Sequence, residues 1–410
     1  MAEFQAPPGT FDVLPPESAR YERLVARFAE HVGRAGYGLV VSPMFEDVGV
    51  FQRVGESTDV VRKEMYDFED KGGRHMALRP EGTASVVRAY VQHRPTPPFK
   101  AWYVAPNFRY ERPQAGRYRQ HHQVGVEALG SDDPDLDVEV VALLAGFYGA
   151  LGLRQVVLKL NSLGDAACRP AYREALARHL GQHELCDEHT GRVEENPLRI
   201  LDCKREPCRA ASRDAPMQLD HLCDDCRAHF DRVQAGLAAL GVGHRLEPRL
   251  VRGLDYYTRT TFEFAATALD SAQDAVGGGG RYDRLAEELG GPPTPGIGFG
   301  AGIERILLAC DAEGVFRAPD HTVDVFVVDT TGGAVARDIT AALRVAGIRA
   351  DRAFDNRSWK SQIKAAARTN APLIVSIEDD GWTLRNRQGE REPTTPDTVI
   401  DHVRKRLHED

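Results

Sequence analysis

Glycines occupy every second position of one short apolar stretch near residue 300. The stretch runs from Gly296 to Gly302 and reads Gly-Ile-Gly-Phe-Gly-Ala-Gly, and a helical pattern begins at Ile303. Side chains alternate between the two faces of a β-strand, so a strand here would expose bare backbone on one face. Such a face lets a flat ligand or another backbone lie against it, whereas a bulged or helix-packed strand is the alternative.

Arginines are concentrated in a second stretch, Phe108–Gln120, which also holds aromatic residues, a proline and a glycine. Four arginines there oppose the single acid Glu111. The planar guanidinium group binds phosphate oxygens in a bidentate manner and stacks on flat rings. The pattern favours a strand-loop-strand that holds a nucleotide's phosphates, and a basic solvated hairpin is the alternative.

A further arginine, Arg305, falls in the first turn of the helix predicted after Gly302. A cation at that end opposes the helix dipole, so a bound anion or a stacked ring explains it better than helix stability. The chain contains no P-loop motif and no Gly-x-Gly-x-x-Gly between a strand and a helix. Nucleotide binding of the P-loop or Rossmann type is therefore not expected.

Length, composition and charge limit the classes of protein to which the chain can belong. A chain of 410 residues, 42% hydrophobic and 28% charged, is typical of a globular protein with two or three domains. No apolar run reaches the roughly 20 residues of a membrane span, and Met1–Gln5 lacks a signal peptide's basic start. We therefore expect a cytoplasmic protein with no membrane partner. The net charge of −9 argues against a non-specific nucleic-acid coat such as a DNA-binding protein would use.

Periodicity predicts an antiparallel sheet flanked by helices. The predicted strands are 39–41, 76–79, 100–108, 118–129, 155–160, 247–254, 259–265 and 296–302, and the predicted helices are 18–36, 83–92, 135–151 and one from 303. Helical patterns fill 165–246, which also holds six of the seven cysteines, and this predicts an inserted helical domain. After a polar linker, strands and helices alternate from 323 to 377, which is typical of a compact α/β module.

The basic strand-loop-strand, the glycine-faced strand and Arg305 together resemble motifs 2 and 3 of class II aminoacyl-tRNA synthetases, and the first helix with its strand resembles motif 1. Four further peptides are similar to the histidyl-tRNA synthetase family: Leu78–Thr83, Gln123–Glu127, Leu250–Tyr257 and Gly277–Asp283. The resemblance runs nearly from end to end.

This resemblance implies an α+β fold. It divides the chain into a catalytic core of the class II synthetase type, with an antiparallel sheet, at 1–164 and 247–318, an inserted helical domain at 165–246, and a C-terminal α/β anticodon-binding domain at 322–410. It also implies a homodimer that uses histidine, ATP with Mg²⁺, and tRNA(His).

The resemblance further implies a role for particular residues. Arg252 and Arg109 would be catalytic. Histidine would be bound by Glu81, Gly82, Thr83, Arg109, Gln123, Glu127, Arg252, Tyr256, Tyr257 and Tyr282. ATP would be bound by Arg109, Arg117, Gly300, Gly302 and Arg305. Arg112 and Gln114 would meet the acceptor end of the tRNA. An imidazole carries one N–H donor and one acceptor when neutral, so Glu127 and Tyr257 are residue types that suit it.

Four cysteines have a spacing that suits a tetrahedral zinc ion. They are Cys203, Cys208, Cys223 and Cys226, with Cys186 and His189 as competing ligands. Free reduced thiols are the alternative. Cys168 and Cys310 are interpreted as core thiols.

The predicted activity is that of a histidine–tRNA ligase. The rival is a non-ligating paralogue that resembles the regulatory subunit of ATP phosphoribosyltransferase in histidine biosynthesis. Such paralogues lack the C-terminal module, which this chain keeps.

Overall fold

The structure is a computed structural model that describes residues 4–55, 58, 60–194, 197–201, 203, 205–251, 254, 256–269, 274–355 and 357–409. The chain divides into two compact units, Met1–Val13 with Tyr21–Arg317, and Leu14–Arg20 with Ala318–Asp410. No described helix has the length and apolar character needed to cross a membrane.

An eight-stranded, mainly antiparallel sheet forms the centre of the first unit as described. Its strands, in spatial order, are β1 (Gly38–Leu39), β5 (Phe99–Phe108), β6 (Gln120–Leu129), β11 (Gly296–Gly302), β10 (Ala275–Arg281), β9 (Thr258–Ala266), β7 (Val156–Ser162) and β8 (His244–Leu246). The outermost pairs at each edge, β1 with β5 and β7 with β8, are parallel. A separate three-stranded sheet joins β2 (Phe45–Asp47), β4 (His75–Leu78) and β3 (Tyr66–Glu69).

Helices cover one face of the large sheet. The helices of the first unit are α1 (Glu17–Gly33), α2 (Val48–Gly55), α3 (Thr83–His93), α4 (Pro134–Ala150), α5 (Arg169–Leu180), α6 (Pro197–Leu201), α7 (Glu206–Ser212), α8 (Asp224–Ala239), α9 (Leu285–Glu288) and α10 (Ile303–Glu313). Alternate residues of β6 and β11, among them Val124, Val126 and Phe299, are buried in the main core with side chains of α1, α4, α8 and α10. The opposite face of these strands is therefore left for the site.

Most of the predicted elements are present. Strand β11 matches the prediction residue for residue, and β5, β6, β7 and β9 match within two residues at each end. The prediction missed β10, because its four consecutive glycines have little strand propensity by themselves. It also placed a strand at 247–254, where the described residues form none and the strand ends at Leu246 instead.

The segment 165–246 is helical as described, but its helices belong to two cores. Helices α5, α6 and α7 enclose a small core of their own that includes Tyr172, Leu176 and Cys208. Helix α8 instead contributes Phe230, Val233 and Leu237 to the main core. The segment lies within the first compact unit, so its status as a separate domain stays a prediction.

The second unit holds a five-stranded sheet of described residues with three helices. Its strands, in spatial order, are β13 (Ala350–Arg352), β12 (Val325–Asp329), β14 (Leu373–Glu378), β15 (Gly381–Asn386) and β16 (Arg391–Thr394). Its helices are α11 (Ala334–Val345), α12 (Trp359–Thr369) and α13 (Val399–Glu409). The first three strands are parallel, as expected where helices connect them.

Candidate active site

One face of four neighbouring strands carries the site. The antiparallel register pairs Gly298 with Glu127, Gly300 with Gly125 and Gly302 with Gln123. Directly paired residues project from the same face of a sheet. Tyr103 on β5 pairs with Gly125, and Gly278 on β10 pairs with Gly300, so the same face continues over both outer strands.

The glycines on this face serve two purposes. At Gly298 an added Cβ would collide with the Glu127 carboxylate, and at Gly296 with the Tyr282 ring. These glycines make room for the protein's own side chains. Gly300 and Gly302, in contrast, line an open cavity. The predicted bare surface for a ligand is thus confined to the second half of the strand.

A closed hydrogen-bond network surrounds Glu127, which is fully buried. Thr83 Oγ1 donates to Glu127 Oε1 at 2.7 Å, and the Tyr282 hydroxyl donates to Oε2. The Tyr103 side chain is a third hydrogen-bond partner, and a carboxylate has four lone pairs, so one acceptor position remains for a further donor. Burial raises the pKa of Glu127 to about 8, although the hydrogen bonds from Tyr282 and Thr83 partly oppose the shift. The carboxyl group is therefore largely protonated at neutral pH while no cation is bound nearby.

Glu81 holds the start of α3 in place beside this network. Its Oε2 accepts from the Thr83 amide at 2.6 Å and its Oε1 from the Ala84 amide at 2.8 Å. A carboxylate on the first amides of a helix satisfies donors that have no partner inside the helix. Burial raises the pKa of Glu81. These two bonds therefore hold the backbone of the first turn of α3, from which the Thr83 hydroxyl reaches Glu127.

Tyrosines close the buried end. The rings of Tyr256 and Tyr257 lie 4.7 Å apart, and those of Tyr256 and Tyr282 lie 5.9 Å apart. The Tyr256 hydroxyl is buried and has no hydrogen-bond partner among the described residues. A buried hydroxyl without a partner costs stability, so this group is suited to a ligand that supplies one.

A polar cavity of about 190 Å³ opens next to this network. It is lined by Arg109, Glu111, Gly116, Arg117, Tyr118, His121, Gln123, Ala275, Val276, Gly277, Gly278, Gly300, Gly302, Glu304 and Arg305. Gln123 joins the two ends, because it lines the cavity and lies four residues before Glu127 on β6. Its Oε1 accepts from Asn107 Nδ2 at 2.8 Å, which fixes the amide orientation.

The three cavity arginines are held by acceptors of the protein. Arg109 Nε donates to the Pro80 carbonyl at 2.9 Å, and Arg305 donates to the carbonyls of Gly116 and Ala275 at 2.8 and 3.0 Å. Arg117 forms an ion pair with Glu111. Burial lowers the pKa of Arg305, and the charges of Arg117 and Arg109 lower it further. Mutually repelling cations around a cavity form a site for a polyanion.

Some residues of the cavity were missed by the sequence analysis. His121 is partly buried beside the cations, and burial followed by the charges of Arg109 and Arg305 lowers its pKa to about 3, so its ring is neutral. Glu304 accepts from the His122 amide at 2.9 Å and pairs with the His122 ring. The two-residue period of β6 relates His121 to Gln123 and Glu127, and this signal was present in the sequence.

The predicted site residues fall into three groups. The buried network contains Glu81, Gly82, Thr83, Glu127, Tyr256, Tyr257 and Tyr282, and the cavity contains Arg109, Arg117, Gln123, Gly300, Gly302 and Arg305. Arg112 and Gln114 lie outside both, exposed in the loop that joins β5 to β6. Gln114 and Arg117 exchange backbone hydrogen bonds there around Gly116, whose φ of 72° favours glycine. Arg252 lies outside the described residues.

The predicted four-cysteine site is wrong. Cys203 and Cys208 lie with Cys186 and His189, whereas Cys223 and Cys226 lie with Asp165 and Cys168. The reason is that α8, which follows Cys223 and contains Cys226, packs on the main core, whereas Cys203 and Cys208 belong to the small core around α5. Cys168 and Cys310 are buried as predicted, although Cys168 contributes to the second group.

Comparisons with known proteins agree with this geometry. A family model described as histidyl-tRNA synthetase matches residues 9–306. A histidine–tRNA ligase from Rhodococcus erythropolis is 49% identical over 98% of this chain and 97% of its own length. One from Halothermothrix orenii is 46% identical over 98% of this chain and 99% of its own length. The crystal structure of apo histidyl-tRNA synthetase from S. aureus matches with a TM-score of 0.82 at 35% identity, over 98% of this chain and 99% of that chain. The predicted class II fold with a C-terminal domain is confirmed.

Proposed function

The chain belongs to the histidyl-tRNA synthetase family and is a histidine–tRNA ligase, and we propose that the buried network and the adjoining cavity bind histidine and ATP respectively. The observation that carries this assignment is the shared strand face. Glu127 and Gln123 project from one strand, four residues apart, towards a closed polar pocket and an arginine-lined cavity. The reaction needs such a junction, since a bond forms between the amino acid and the nucleotide.

The buried network suits an imidazole ring. Glu127 accepts one ring N–H on a remaining lone pair, while Tyr282 and Thr83 hold the carboxyl group in place. Tyr257 supplies the second polar contact and Tyr256 lines the ring. A site built around such polar groups rejects ligands of similar size that leave the groups unpaired. The proposed contacts of the substrate α-amino group are Glu81, Thr83 and Gln123. Gly82 lies between two of them and has no side chain, because a Cβ there would collide with the Tyr103 ring.

The cavity suits the triphosphate. Activation forms a bond between a carboxylate oxygen of histidine and the α-phosphorus of ATP, and it breaks the bond to the pyrophosphate group. The carboxylate is already ionised at neutral pH, so the step needs alignment and positive charge rather than a general base. We assign Arg109 to the α-phosphate, and Arg117 and Arg305 to the γ-phosphate and adenine. Gly300 and Gly302 leave room for the nucleotide along the strand.

Members of the family require ATP and Mg²⁺ in general, and the cavity fits the ion in that its wall carries carboxylates. The carboxylates on its described wall are Glu111 and Glu304, which are engaged by Arg117 and His122. Mg²⁺ retains waters and binds phosphate oxygens readily, so these two residues would hold its water ligands rather than enclose it. When bound, the ion neutralises charge on the leaving pyrophosphate.

The second step joins histidine to tRNA(His). A ribose hydroxyl at the tRNA 3′ end attacks the carbonyl carbon of the adenylate and AMP leaves. We assign Arg112 and Gln114 to the acceptor end, since both are exposed in the loop beside the cavity. In the second unit, α12 presents the exposed cations Lys360, Lys364 and Arg368 at helical spacing, which supports a role in anticodon binding.

Two assignments concern the assembly and its setting. The segment that resembles motif 1 exposes Leu39, Val41, Met44 and Phe45, and an exposed apolar group of this kind supports a homodimer. A ligase that charges tRNA acts where proteins are made, which supports a cytoplasmic location. The domain division also remains part of this proposal. It consists of a catalytic core at 1–164 and 247–318, an inserted helical domain at 165–246 and an anticodon-binding domain at 322–410.

The regulatory paralogue remains the alternative, and one experiment separates the two functions. The ligase exchanges pyrophosphate into ATP when histidine is present and with no other standard amino acid, because only imidazole satisfies the buried groups. A non-ligating paralogue shows no such exchange. Exchange that depends on a different amino acid would refute the assignment of the buried network.

The role of Arg252 rests on its resemblance to the family's catalytic arginine. We expect Arg252→Ala to lower the exchange rate by about 10²-fold or more, because the cation stabilises charge that develops on the phosphoryl oxygens. Near-normal exchange in this variant would remove Arg252 from the mechanism.

A further inference from the structure

Four side chains of the inserted segment bring metal-binding atoms to one point. The Cys186 sulfur lies 3.4 Å from that of Cys208 and 4.0 Å from that of Cys203. His189 Nδ1 lies 3.2 Å from the Cys186 sulfur and 3.5 Å from the Cys208 sulfur. All four atoms are within 4.8 Å of one another.

These spacings are those of a tetrahedral zinc shell. Bonds of about 2.3 Å to sulfur and about 2.0 Å to nitrogen place tetrahedral ligands about 3.8 Å apart for two sulfurs and about 3.5 Å apart for sulfur and nitrogen. The two sulfur–sulfur distances lie on either side of the first value, and the two sulfur–nitrogen distances lie at or slightly below the second. A disulfide would require a sulfur–sulfur distance of about 2.05 Å, and it would leave one thiol and the imidazole unexplained.

We propose that Cys186, His189, Cys203 and Cys208 bind one structural zinc ion. Three thiolates and a neutral imidazole fill all four positions, so the site is of the closed, non-catalytic type. The proposal replaces the ligand set suggested by the sequence spacing. It does not depend on the substrate of the enzyme.

The local fold explains why a metal is useful here. Between the end of α5 and the start of α7, the described residues form only the five-residue helix α6. The small core of this region is formed by few side chains, and small cores gain much of their stability from metals or cross-links. The ligands come from three places: a turn at Cys186 and His189, the end of α6 at Cys203, and α7 at Cys208.

Charges beside the cluster are complementary to a thiolate-rich site. Three thiolates on Zn²⁺ carry a net negative charge, and the guanidinium group of Arg205 lies beside the Cys186 sulfur. Arg205 also pairs with Glu188 at 3.1 Å, and Glu188 lies 3.5 Å from Lys63. Lys63 belongs to the helical turn Val60–Glu64, whose last carbonyl accepts from the Tyr110 amide at 2.6 Å. A bound metal would thus fix the turn at Cys186 and His189, which is linked through Glu188 and Lys63 to the start of the arginine-rich stretch Phe108–Gln120.

The second cysteine group provides a matched control. There the Asp165 carboxylate already accepts from the amides of Ala167 and Cys168 at 2.9 and 3.3 Å and pairs with Arg259 at 3.6 Å. These bonds hold the turn that precedes α5, and the group contains no imidazole. We therefore assign no metal to Asp165, Cys168, Cys223 and Cys226.

The test is metal analysis of the full chain purified without chelator. We expect about one zinc per chain in the unaltered protein and in Cys223→Ser, and less than about half in Cys203→Ser. Cys203 and Cys223 are both only partly buried, so either serine can be accommodated. Less than half an equivalent in the unaltered protein, or loss in Cys223→Ser with retention in Cys203→Ser, would overturn the proposal.

A second measurement covers the case in which Cys203→Ser folds poorly. Replacement of the metal by Co²⁺ in the unaltered protein should give the strong visible bands of a tetrahedral site with thiolate-to-metal charge transfer. Cys223→Ser should give the same spectrum. Weak, octahedral-type bands would contradict the proposed three-sulfur site even if some metal is retained.

Discussion

At the proposed histidine end of the site, Glu127 is fully buried, each of its oxygens accepts a hydroxyl donor, and Gly298 is in contact with its carboxylate. At the proposed ATP end, Arg109, Arg117 and Arg305 surround a cavity of about 190 Å³, and the neighbouring Gly302 would have room for a methyl group. Both ends are built on the same two paired strands. They differ in how many of the groups that would contact the ligand are already fixed by contacts within the protein.

The difference reflects the two ligands. A small ring with one donor and one acceptor is recognised by polar groups that are fixed before it arrives, because unpaired buried groups reject other ligands. A triphosphate would be recognised by charge. Carbonyls and Glu111 hold the arginines in place, and in the proposed complex phosphate oxygens would replace these acceptors. We therefore expect changes in the buried network to affect amino-acid specificity most, and changes in the arginine-lined cavity to affect the reaction rate most.

The largest effect is expected for Glu127→Gln. The amide turns an N–H group towards the hydroxyl donors of Thr83 or Tyr282 and cannot ionise to the carboxylate that an imidazole donor favours, so kcat/KM for histidine should fall about 10³-fold. The KM for ATP should change little. Pyrophosphate exchange at varied histidine and varied ATP measures both.

Glu46→Gln is the matched control for this prediction. Glu46 is also buried and pairs with Arg88 at 2.6 Å, but it lines neither end of the site. It should leave kcat/KM for histidine within about twofold. Equal losses in the two variants would show that the Glu127 effect is one of folding.

The next effect concerns the cation end. Arg109→Ala should lower kcat of exchange by about 10²-fold, because the charge on the α-phosphate loses a fixed partner in the transition state. Arg112→Ala removes an exposed arginine of the same loop and should leave exchange unchanged while it slows transfer to tRNA. Equal losses of exchange activity in the two variants would mean that the reaction depends on the total charge of the loop and not on the position of Arg109 in the cavity.

A methyl group on the glycine strand tests the contrast in packing. Gly298→Ala places Cβ against the Glu127 carboxylate and the Val126 carbonyl, and we expect a loss of unfolding free energy of about 1–3 kcal/mol. At Gly302 the nearest atoms lie 3.9 Å from the added Cβ, so Gly302→Ala should stay within about 0.5 kcal/mol of the unaltered protein. Urea unfolding of both variants measures the difference, and similar values would contradict the contrast.

Counted per pH unit, the smallest effect is a pH dependence of stability. Burial raises the folded-state pKa of Glu127 to about 8, whereas an unfolded glutamate ionises near 4.3. The folded state then binds the extra proton, so the contribution is complete below the unfolded pKa and is lost as pH rises through about 8. Without histidine, the unfolding free energy of the unaltered protein relative to Glu127→Gln should fall by up to about 1.4 kcal/mol per pH unit. Parallel curves between about pH 5 and 8 would refute the raised pKa.

Several parts of the site could be predicted from the sequence because strand and helix periods are local properties. The glycine alternation predicted β11 and its bare face, and the arginine-rich stretch predicted the loop at the cavity. The resemblance named Glu127, Thr83 and Tyr282 together, and the structure places them in one hydrogen-bond network. His121 could have been found from the same strand period that relates it to Glu127.

Other features could not be predicted in this way, since they depend on contacts between distant segments. Strand β10 forms from glycines of low strand propensity because β9 and β11 supply its hydrogen bonds on both sides. The cysteine pairs have zinc-like spacing along the chain, yet helix α8 packs on the main core and its Cys226 lies with Cys168 and not with Cys208.

By itself the sequence determined most of the elements, the face on which Gln123 and Glu127 project, and the family, because these follow from side-chain alternation and from peptides that are read along the chain. Only the tertiary structure decided which glycines line the open cavity and which make room for Glu127 and Tyr282, and which thiols lie beside His189. The reason is that strand register and helix packing bring together residues far apart in the chain, and spacing along the chain does not encode their distance in space.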